Sequence, residues 1–219
     1  MQLDDVKIER STTVDRIVIA LKKAMFDGKI LPGEQLKELV LSQTFSVSRS
    51  TVREALRIMT SEGLAVHSPN KGVTVRQLTV EEIKDIFLTR SVLEISAARA
   101  VRKCSPGALQ ALEAAMQQYA AAAATGDALA AADSHVDFHS ALVGLIGSKR
   151  LMETERTLML DLKLVIASID KSRDDLGREV KKHENLTRLL ITKDETGAIE
   201  FIKNDLCVAK GFIIKHIDN

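Results

Sequence analysis

The sequence predicts a mostly α-helical protein in two parts. Residues 1–78 contain three helical segments followed by two β-rich runs around a turn cluster, whereas residues 79–219 show only helical periodicity. A helix-capping pattern at Thr79 separates the two parts. We therefore expect three helices plus a β-hairpin, followed by an all-α antiparallel bundle of about six helices.

The N-terminal helices follow from residue spacing and turn residues. Apolar residues recur at helical spacing over residues 13–26. The turn formers Leu31-Pro32-Gly33 come next, and they precede two short helices predicted over residues 35–43 and 48–62. Only residues 44–47 connect these two helices, so we expect them to cross at a steep angle.

Two β-rich runs complete the first part. Residues 64–67 and 73–76 are mostly β-branched or apolar, and the five residues between them form a turn cluster. Three helices followed by a β-hairpin make a winged helix-turn-helix.

A new helix begins after Thr79. The threonine is placed as N-cap and Glu82 as the third helical residue, which is the capping-box arrangement. Beyond it, the periodicity is interrupted at five places: Ser105-Pro106, Thr125-Gly126-Asp127, Gly147-Ser148, around Asp174 and around Asp194. Five interruptions imply about six helices, and their spacing suits an antiparallel bundle.

The overall composition is ordinary for a globular protein, with 45% hydrophobic and 28% charged residues. No stretch approaches the roughly 18 apolar residues needed to span a bilayer, so we expect a cytoplasmic protein that does not enter membranes. Cys104 and Cys207 are isolated, which indicates packing residues rather than a disulfide or thiolate site. Residues 1–78 carry 12 Lys/Arg against 9 Asp/Glu, and the remainder 19 against 21, so the first part is mildly basic.

The predicted third helix has an apolar face and a basic face. The apolar face comprises Val52, Ala55, Leu56 and Met59, and the basic face comprises Arg49, Arg53 and Arg57 at i, i+4 and i+8. An α-helix fits the DNA major groove, where arginine can donate two hydrogen bonds to guanine. The alternative is a solvated basic face whose arginines pair with acids such as Glu54.

Hydroxyl and glycine residues flank this helix. Ser48, Ser50 and Thr51 are placed to hold phosphates at its N-terminus. Lys71-Gly72 places a cation at the hairpin tip, where it can contact a phosphate or a minor groove. We therefore expect residues of the helix, its N-terminus and the hairpin tip to bind DNA.

Residues 27–75 resemble the GntR family of bacterial regulators. The hallmarks are a Pro-Gly turn at residues 32–33, VSRSTVREAL at residues 47–56, EGL at residues 62–64 and a wing with a basic residue and glycine. The resemblance implies that Arg49 and Arg53 contact DNA and that Lys71-Gly72 forms the wing tip. Leu39 departs from the basic residue found there in some relatives, so their operator sequence is not carried over.

Residues 79–219 resemble the FCD-type helical effector domain of the FadR branch, in the subgroup that often holds a metal ion. The likeness rests on the segment RSVLE at residues 90–94, Phe138-His139, His183 and the spacing from Asp194 to Ala198. The family's ligands are an aspartate four residues before the Phe-His histidine, that histidine, and two later histidines.

This chain exchanges two of the family's ligands. His135 stands where the aspartate is expected, and Asp205 stands where the last histidine is expected. The resemblance therefore implies a metal site made of His135, His139, His183 and Asp205.

Helical spacing favours the same four residues. His135 and His139 are four residues apart on an apolar stripe, so both imidazoles face the core. His183 and Asp205 each lie 11 residues from the break near Asp194. This is about 16 Å along each helix, which places them at one level. Such donors suit a divalent transition metal, with Zn²⁺ first and Ni²⁺ or Mn²⁺ next. The alternative is a hydrogen-bonded His/Asp cluster without metal.

Arg90 lies on an inward stripe with Glu94 one turn later. Its structural role would be an ion pair with Glu94, and the functional alternative is that it binds an anionic ligand. A metal with open positions and Arg90 together suit a small carboxylate effector, such as a sugar acid or another hydroxy or dicarboxylic acid.

These features predict a DNA-binding transcription regulator and not an enzyme. Residues 1–78 would bind double-stranded operator DNA, and residues 79–219 would bind the effector and form a homodimer, because one recognition helix covers only a half-site. The resemblance also implies the usual mode of regulation in this family, in which the protein represses transcription until its ligand binds.

Two alternatives remain open. One is a metal-dependent hydrolase with an adaptor DNA-binding domain, for which Glu94 or Glu184 is a conceivable base that no motif fixes. The other is a DNA-architectural protein that senses no metabolite, which leaves the inward arginine and histidines unexplained.

Overall fold

The computed structural model describes residues 12–68, 72–173 and 176–217, with side chains of residues 167–175 outside that description. The chain divides into two compact units at Arg76 and Gln77.

The first unit contains three helices and a two-stranded antiparallel sheet. The elements are α1 (Thr13–Phe26), α2 (Glu38–Thr44), α3 (Arg49–Ser61), β1 (Ala65–Ser68) and β2 (Gly72–Val75). Ala65 pairs with Val75 and Ser68 with Gly72, so the strands are in the register of a hairpin. The core is formed by α1, the apolar face of α3 and the inward residues of the sheet. The predicted winged helix-turn-helix architecture is therefore confirmed.

Helix α2 begins three residues later than the sequence pattern predicts. The backbone N–H of Leu36 donates to the Val73 carbonyl at 2.8 Å, and that of Val75 donates to the Glu34 carbonyl at 2.8 Å. Residues 34–36 thus extend the sheet as an isolated bridge beside β2. Because their backbone groups pair with a strand distant in sequence, they cannot join the helix.

The second unit is entirely helical over its described residues. Its helices are α4 (Val80–Ala100), α5 (Pro106–Ala124), α6 (Ala128–Gly144), α7 (Lys149–Arg173), α8 (Leu176–Ile191) and α9 (Glu195–Ile217). The predicted breaks coincide with the ends of these helices, although the break at Asp174 lies outside the described residues.

Side-chain caps mark the starts of three helices. Thr79 and Glu82 form the predicted capping box of α4, while Ser105 and Asp127 cap α5 and α6. These caps satisfy backbone N–H groups that have no carbonyl partner within the helix.

One hydrophobic core joins the six helices. Helix α6 packs against α4, α5 and α7, and α9 packs against α4 and α8. Phe138 of α6, Met159 of α7 and Ile202 of α9 are fully enclosed in it. The polar site described below therefore lies among helices fixed by apolar packing. Among the described helices, none is long and apolar enough to cross a membrane.

Candidate functional site

Helix α3 buries its predicted apolar face and exposes its basic one. Val52, Ala55, Leu56 and Met59 are at most 1% exposed, whereas the three arginines are exposed. Arg53 donates from Nε and Nη2 to the Glu38 carboxylate of α2, at 3.0 and 2.8 Å. This hydrogen-bonded pair lowers the pKa of Glu38. Arg57 pairs with Glu54 at 3.2 Å, while Arg49 makes no ion pair with a described residue.

The arginines therefore differ in their freedom to contact DNA. Arg49 is available at the first turn of the helix, whereas Arg53 could contact a base or phosphate only by giving up its pair with Glu38. The pairing of Arg57 with Glu54 is the alternative that the sequence left open.

The hydroxyl cluster caps helix α3. Ser48 is the N-cap, and its Oγ accepts a hydrogen bond from the Thr51 backbone N–H at 3.1 Å. The same oxygen lies 2.7 Å from both the Ser50 Oγ and the Thr51 Oγ1. The three hydroxyls thus form one exposed network at the positive end of the helix, where an anion is favoured.

The predicted wing tip is only partly visible. Lys71 lies outside the described residues, and Gly72 is the first residue of β2 with φ +75°. This left-handed conformation costs glycine little and strains other residues.

Three histidines of the second unit converge on one point. The Nε2 atoms of His135 and His139 on α6 and of His183 on α8 are separated by 3.0, 3.1 and 3.2 Å. His139 and His183 are buried, and His135 is half-buried. We call these three residues the histidine triad. The sequence predicted all three at one site.

The partners of the Nδ1 atoms orient two of the imidazoles. Nδ1 of His183 lies 2.7 Å from the Glu179 carbonyl oxygen, which can only accept, so Nδ1 carries the proton and Nε2 keeps its lone pair. Nδ1 of His139 lies 3.1 Å from Oε1 of the buried Glu94, to which we assign the same kind of bond. Two lone pairs are thus aimed into the triad, as in histidine metal sites.

Burial keeps the triad uncharged at neutral pH. It lowers the pKa of His139 to about 4, against the opposing effect of Glu94. Burial also lowers the pKa of His135 and that of His183, although the hydrogen bond to the Glu179 carbonyl opposes the shift at His183. Neutral imidazole is the form that binds a metal ion.

The triad fits a transition-metal ion. Because its nitrogens form a nearly equilateral triangle with sides of 3.0 to 3.2 Å, points on its axis lie about 2 Å from all three, which is the usual Zn–N distance.

The predicted fourth ligand, Asp205, lines the same cavity but is not part of the triad. Its carboxylate does not join the group of ligand atoms that lie within 4.8 Å of one another among the described residues. Oδ1 of Asp205 instead lies 3.6 Å from Nζ of Lys182 on α8. Asp205 is near enough to His183 to raise its pKa, although burial outweighs this effect.

Arg90 sits at the centre of a second buried group. Its Nη2 donates to Glu94 at 2.6 Å and its Nε donates to Glu155 of α7 at 2.9 Å. Nη2 also lies 3.1 Å from Nδ1 of His139, so this group adjoins the triad. Hydrogen bonds to described residues use Nε and Nη2, and Nη1 has none.

The two acids beside Arg90 hold different charges. Burial disfavours the charged form of both, but the charge of Arg90 lowers the pKa of Glu94 below its usual range. Burial raises the pKa of Glu155 to about 8, because Arg90 offsets it only in part and Glu94 adds to it. Oε2 of Glu155 is buried without a hydrogen-bond partner among the described residues. Glu155 is therefore mainly protonated at neutral pH.

Sequence reasoning missed Glu155 and Tyr119. Glu155 shares a buried stripe with Met159 and Leu162, so an acid on an apolar helical face was the available signal. Tyr119, the only tyrosine of the chain, stacks on His135 with ring centroids 4.9 Å apart. Its position in an alanine-rich helix carried no signal of this contact.

The triad and Arg90 line one cavity, which is open to solvent. Polar residues from α6 and α8 and apolar residues from α9 form much of its wall. Its lining comprises Phe87, Arg90, His135, His139, Ile166, Glu179, Lys182, His183, Asp205, Leu206, Val208, Ala209, Phe212 and Ile213. An apolar pocket with a few convergent polar groups is the usual form of a small-ligand site.

Comparison with known families divides the chain in the same way. The model of bacterial regulatory proteins of the gntR family matches residues 13–75. The FCD domain model matches residues 85–206, which include Arg90 and the whole triad.

Individual relatives agree with these matches. The Nta operon transcriptional regulator of Aminobacter aminovorans is 30% identical over 189 residues, which cover 85% of this chain and 82% of that protein. A match to the HTH-type transcriptional regulator YdhC of Bacillus subtilis is 34% identical over 93 residues but spans only 42% of each chain.

A solved structure shows the same architecture over nearly the whole length. The GntR transcriptional regulator from Rhodococcus sp. RHA1 has a TM-score of 0.72 and 27% identity, covering 92% of this chain and 97% of its own. The chain therefore belongs to the GntR family of bacterial regulatory proteins, and it is a DNA-binding transcription regulator with a C-terminal FCD domain, not an enzyme.

Proposed function

We propose that this regulator is a repressor whose affinity for its operator is controlled by a small carboxylate bound beside a metal ion in the FCD domain. The observation that carries the proposal is the histidine triad, with three Nε2 atoms within 3.2 Å of one another. The Glu179 carbonyl fixes the His183 lone pair toward the other two nitrogens, and we assign the same orientation to that of His139. A hydrogen-bonded cluster needs a proton between such nitrogens, whereas a shared cation satisfies all three at once.

His135, His139 and His183 would hold the ion, with Asp205 as the proposed fourth ligand from the same cavity. Three imidazole nitrogens and one carboxylate favour Zn²⁺, and Ni²⁺ or Mn²⁺ are the next candidates. When bound, the metal supplies a Lewis acid with positions open to anionic oxygens. The carbonyl of Glu179 and the carboxylate of Glu94 hold the imidazoles in the required orientation.

Arg90 is the proposed second contact for the carboxylate. Two of its nitrogens are occupied by Glu94 and Glu155, so Nη1 is the donor left for a ligand. The two N–H groups of Nη1 diverge from one nitrogen, whereas a bidentate fork to a carboxylate needs parallel N–H groups on two nitrogens. We therefore expect Arg90 to orient the carboxylate rather than to supply most of the binding energy.

The DNA-binding residues belong to residues 1–78, and effector binding and dimerisation belong to residues 79–219. Arg49, Arg53 and Arg57 would face the major groove, Ser48, Ser50 and Thr51 would contact phosphate, and Lys71-Gly72 would form the wing tip. A homodimer supplies the second recognition helix that a two-fold symmetric operator needs. Leu88 and Val92, one turn apart on α4 and 65% and 61% exposed, support an apolar contact between protomers.

Coupling between the two parts would run through α4. This helix carries Arg90 and begins immediately after the N-cap Thr79, which follows the wing by only a few residues. A ligand changes DNA affinity only if it binds the competent and incompetent arrangements differently. We propose that carboxylate binding shifts α4 and so changes the spacing of the two recognition helices.

The test is operator release by carboxylates, measured by fluorescence anisotropy with Zn²⁺-loaded protein. Wild type should release its operator as the acid concentration rises, while His183→Ala should bind the operator and lose the response. His216→Ala is the matched control, because His216 is exposed on α9 and does not line the cavity. A chelated wild type that responds like the loaded protein would contradict a metal-dependent effector site, and a protein that responds to no acid would favour the architectural alternative.

A second comparison separates the two roles of Arg90. If Arg90→Ala folds, keeps its metal and releases the operator at the same acid concentration as wild type, Arg90 is a structural partner of Glu94 and Glu155 only.

A further inference from the structure

The cavity beside the triad has an unequal distribution of polar and apolar groups. Its wall from α9 consists of Asp205 followed by five apolar residues: Leu206, Val208, Ala209, Phe212 and Ile213. Phe87 of α4 and Ile166 of α7 add further apolar surface. A ligand held at the triad would therefore have its remaining atoms beside hydrocarbon.

Two of these residues are unusually exposed for their type. Val208 and Phe212 lie one turn apart on α9, with 53% and 36% of their surface accessible. Both line the cavity, so apolar surface continues from the buried Ile213 to its opening. Burying such surface against an apolar ligand is favourable, because it removes both from water.

The other charged groups of the cavity offer no spare cation. Nζ of Lys182 lies 2.8 Å from Glu179 and 3.6 Å from Asp205, so Glu179 compensates the ammonium even when Asp205 binds the metal ion. The charge of Arg90 is likewise compensated by Glu94, and its Nε donates to Glu155. A second carboxylate on a ligand would face acidic residues without a cation of its own, and hydroxyl groups along α9 would lose hydration without gaining partners.

We propose that the effector is a monocarboxylate with an apolar alkyl or aryl body, rather than a sugar acid or a dicarboxylate. This inference rests on the proposed function, because the triad and its metal ion must hold the carboxylate. The apolar body lies along Leu206, Ala209 and Ile213 and reaches Val208 and Phe212 at the opening.

The test is calorimetric titration of the Zn²⁺-loaded full-length protein with acetate, butanoate, hexanoate, succinate and gluconate. Each methylene buried against α9 should strengthen binding by about two- to fourfold, so hexanoate should bind at least about tenfold tighter than acetate. Hexanoate should also bind more tightly than succinate or gluconate.

Variants at the opening test the location of the apolar body. Val208→Gln combined with Phe212→Gln should leave acetate binding within about twofold and flatten the increase with chain length. Ile191→Gln is the control, because Ile191 is 43% exposed at the end of α8 and does not line the cavity. In this control, affinity should increase with the chain length of the acid as it does in wild type.

The outcomes distinguish this inference from the proposed function. If acetate, hexanoate and gluconate bind equally well, or gluconate binds best, the carboxylate site stands and the apolar class is wrong. The same conclusion follows if the affinity of the double variant increases with chain length as steeply as that of wild type. If none of the acids binds the metal-loaded protein, the proposed function itself fails.

Discussion

Replacing Glu155 by glutamine should remove a pH dependence of stability that the fold creates. Glu155 is 0% exposed, and burial raises its pKa from 4.5 to about 8. The unfolded chain releases the proton of this carboxyl above pH 4.5, whereas the folded protein retains it up to about pH 8. The contribution of Glu155 to the free energy of unfolding therefore falls as pH rises between these values.

The expected magnitude follows from the size of this pKa difference. Each pH unit between the two pKa values costs about 1.4 kcal/mol of stability, with less near pH 8 where the folded protein also titrates. Between pH 6.5 and 8, wild type should lose about 1.5 kcal/mol through Glu155. Glu155→Gln keeps a neutral side chain that can still accept the hydrogen bond from Arg90, so its free energy of unfolding should rise relative to that of wild type by about 1.5 kcal/mol between pH 6.5 and 8.

The assay is urea unfolding of chelated protein at several pH values from 6.5 to 8.5, followed by circular dichroism. Glu153→Gln is the matched control, because Glu153 is exposed on the same helix and remains in water in both states. This control should have the wild-type slope. Parallel profiles for wild type and Glu155→Gln would show that Glu155 is not the buried group that holds a proton.

Three further predictions concern DNA binding, folding and the metal. Arg49→Ala should cost about 1–3 kcal/mol of operator affinity and relax base preference, whereas Lys71→Ala should weaken binding to all sequences and flatten its salt dependence. Both affinities are measured by anisotropy titrations at several salt concentrations, and a variant with the wild-type affinity would contradict the role given to that residue. Ser48→Ala should lower the stability of the first unit by about 1 kcal/mol through loss of the α3 cap, and urea unfolding without a change in midpoint would contradict that role. Purified protein should hold close to one transition-metal ion per chain, as measured by plasma mass spectrometry, and His139→Ala should lose this ion. A metal-free wild type whose melting temperature does not change on addition of Zn²⁺ would favour the hydrogen-bonded cluster.

Local signals were sufficient for most of the fold. The bounds of α1 follow from apolar spacing and a terminating glycine, and the start of α4 follows from the Thr79 capping box. Helix α2 was misplaced at its start because residues 34–36 pair with β2, nearly forty residues away. Helical spacing describes an isolated segment, so it cannot detect a backbone partner supplied by another element.

In the candidate site too, spacing within one helix was predictable from the sequence, whereas contacts between helices were not. His135 and His139 were predictable because a four-residue spacing aligns side chains on one face, and His183 because the break near Asp194 fixes its level. The level of Asp205 follows by the same argument, but its ion pair with Lys182 depends on competition among charged neighbours. The pairing of Arg90 with Glu155 joins residues 65 apart in the chain, and only the packing of α4 against α7 brings them together.

The hydrogen bond from Arg90 to Glu155 also restricts how α4 can slide along its axis. Its apolar contacts with the bundle, such as those of Ile83 and Ala97, tolerate small displacements because dispersion forces are not directional. The 2.9 Å hydrogen bond from Arg90 to Glu155 is directional, so a slide of α4 by one helical residue, about 1.5 Å, would strain it unless both side chains follow. A molecule that competes for Arg90 would remove this restraint and so free α4 to shift.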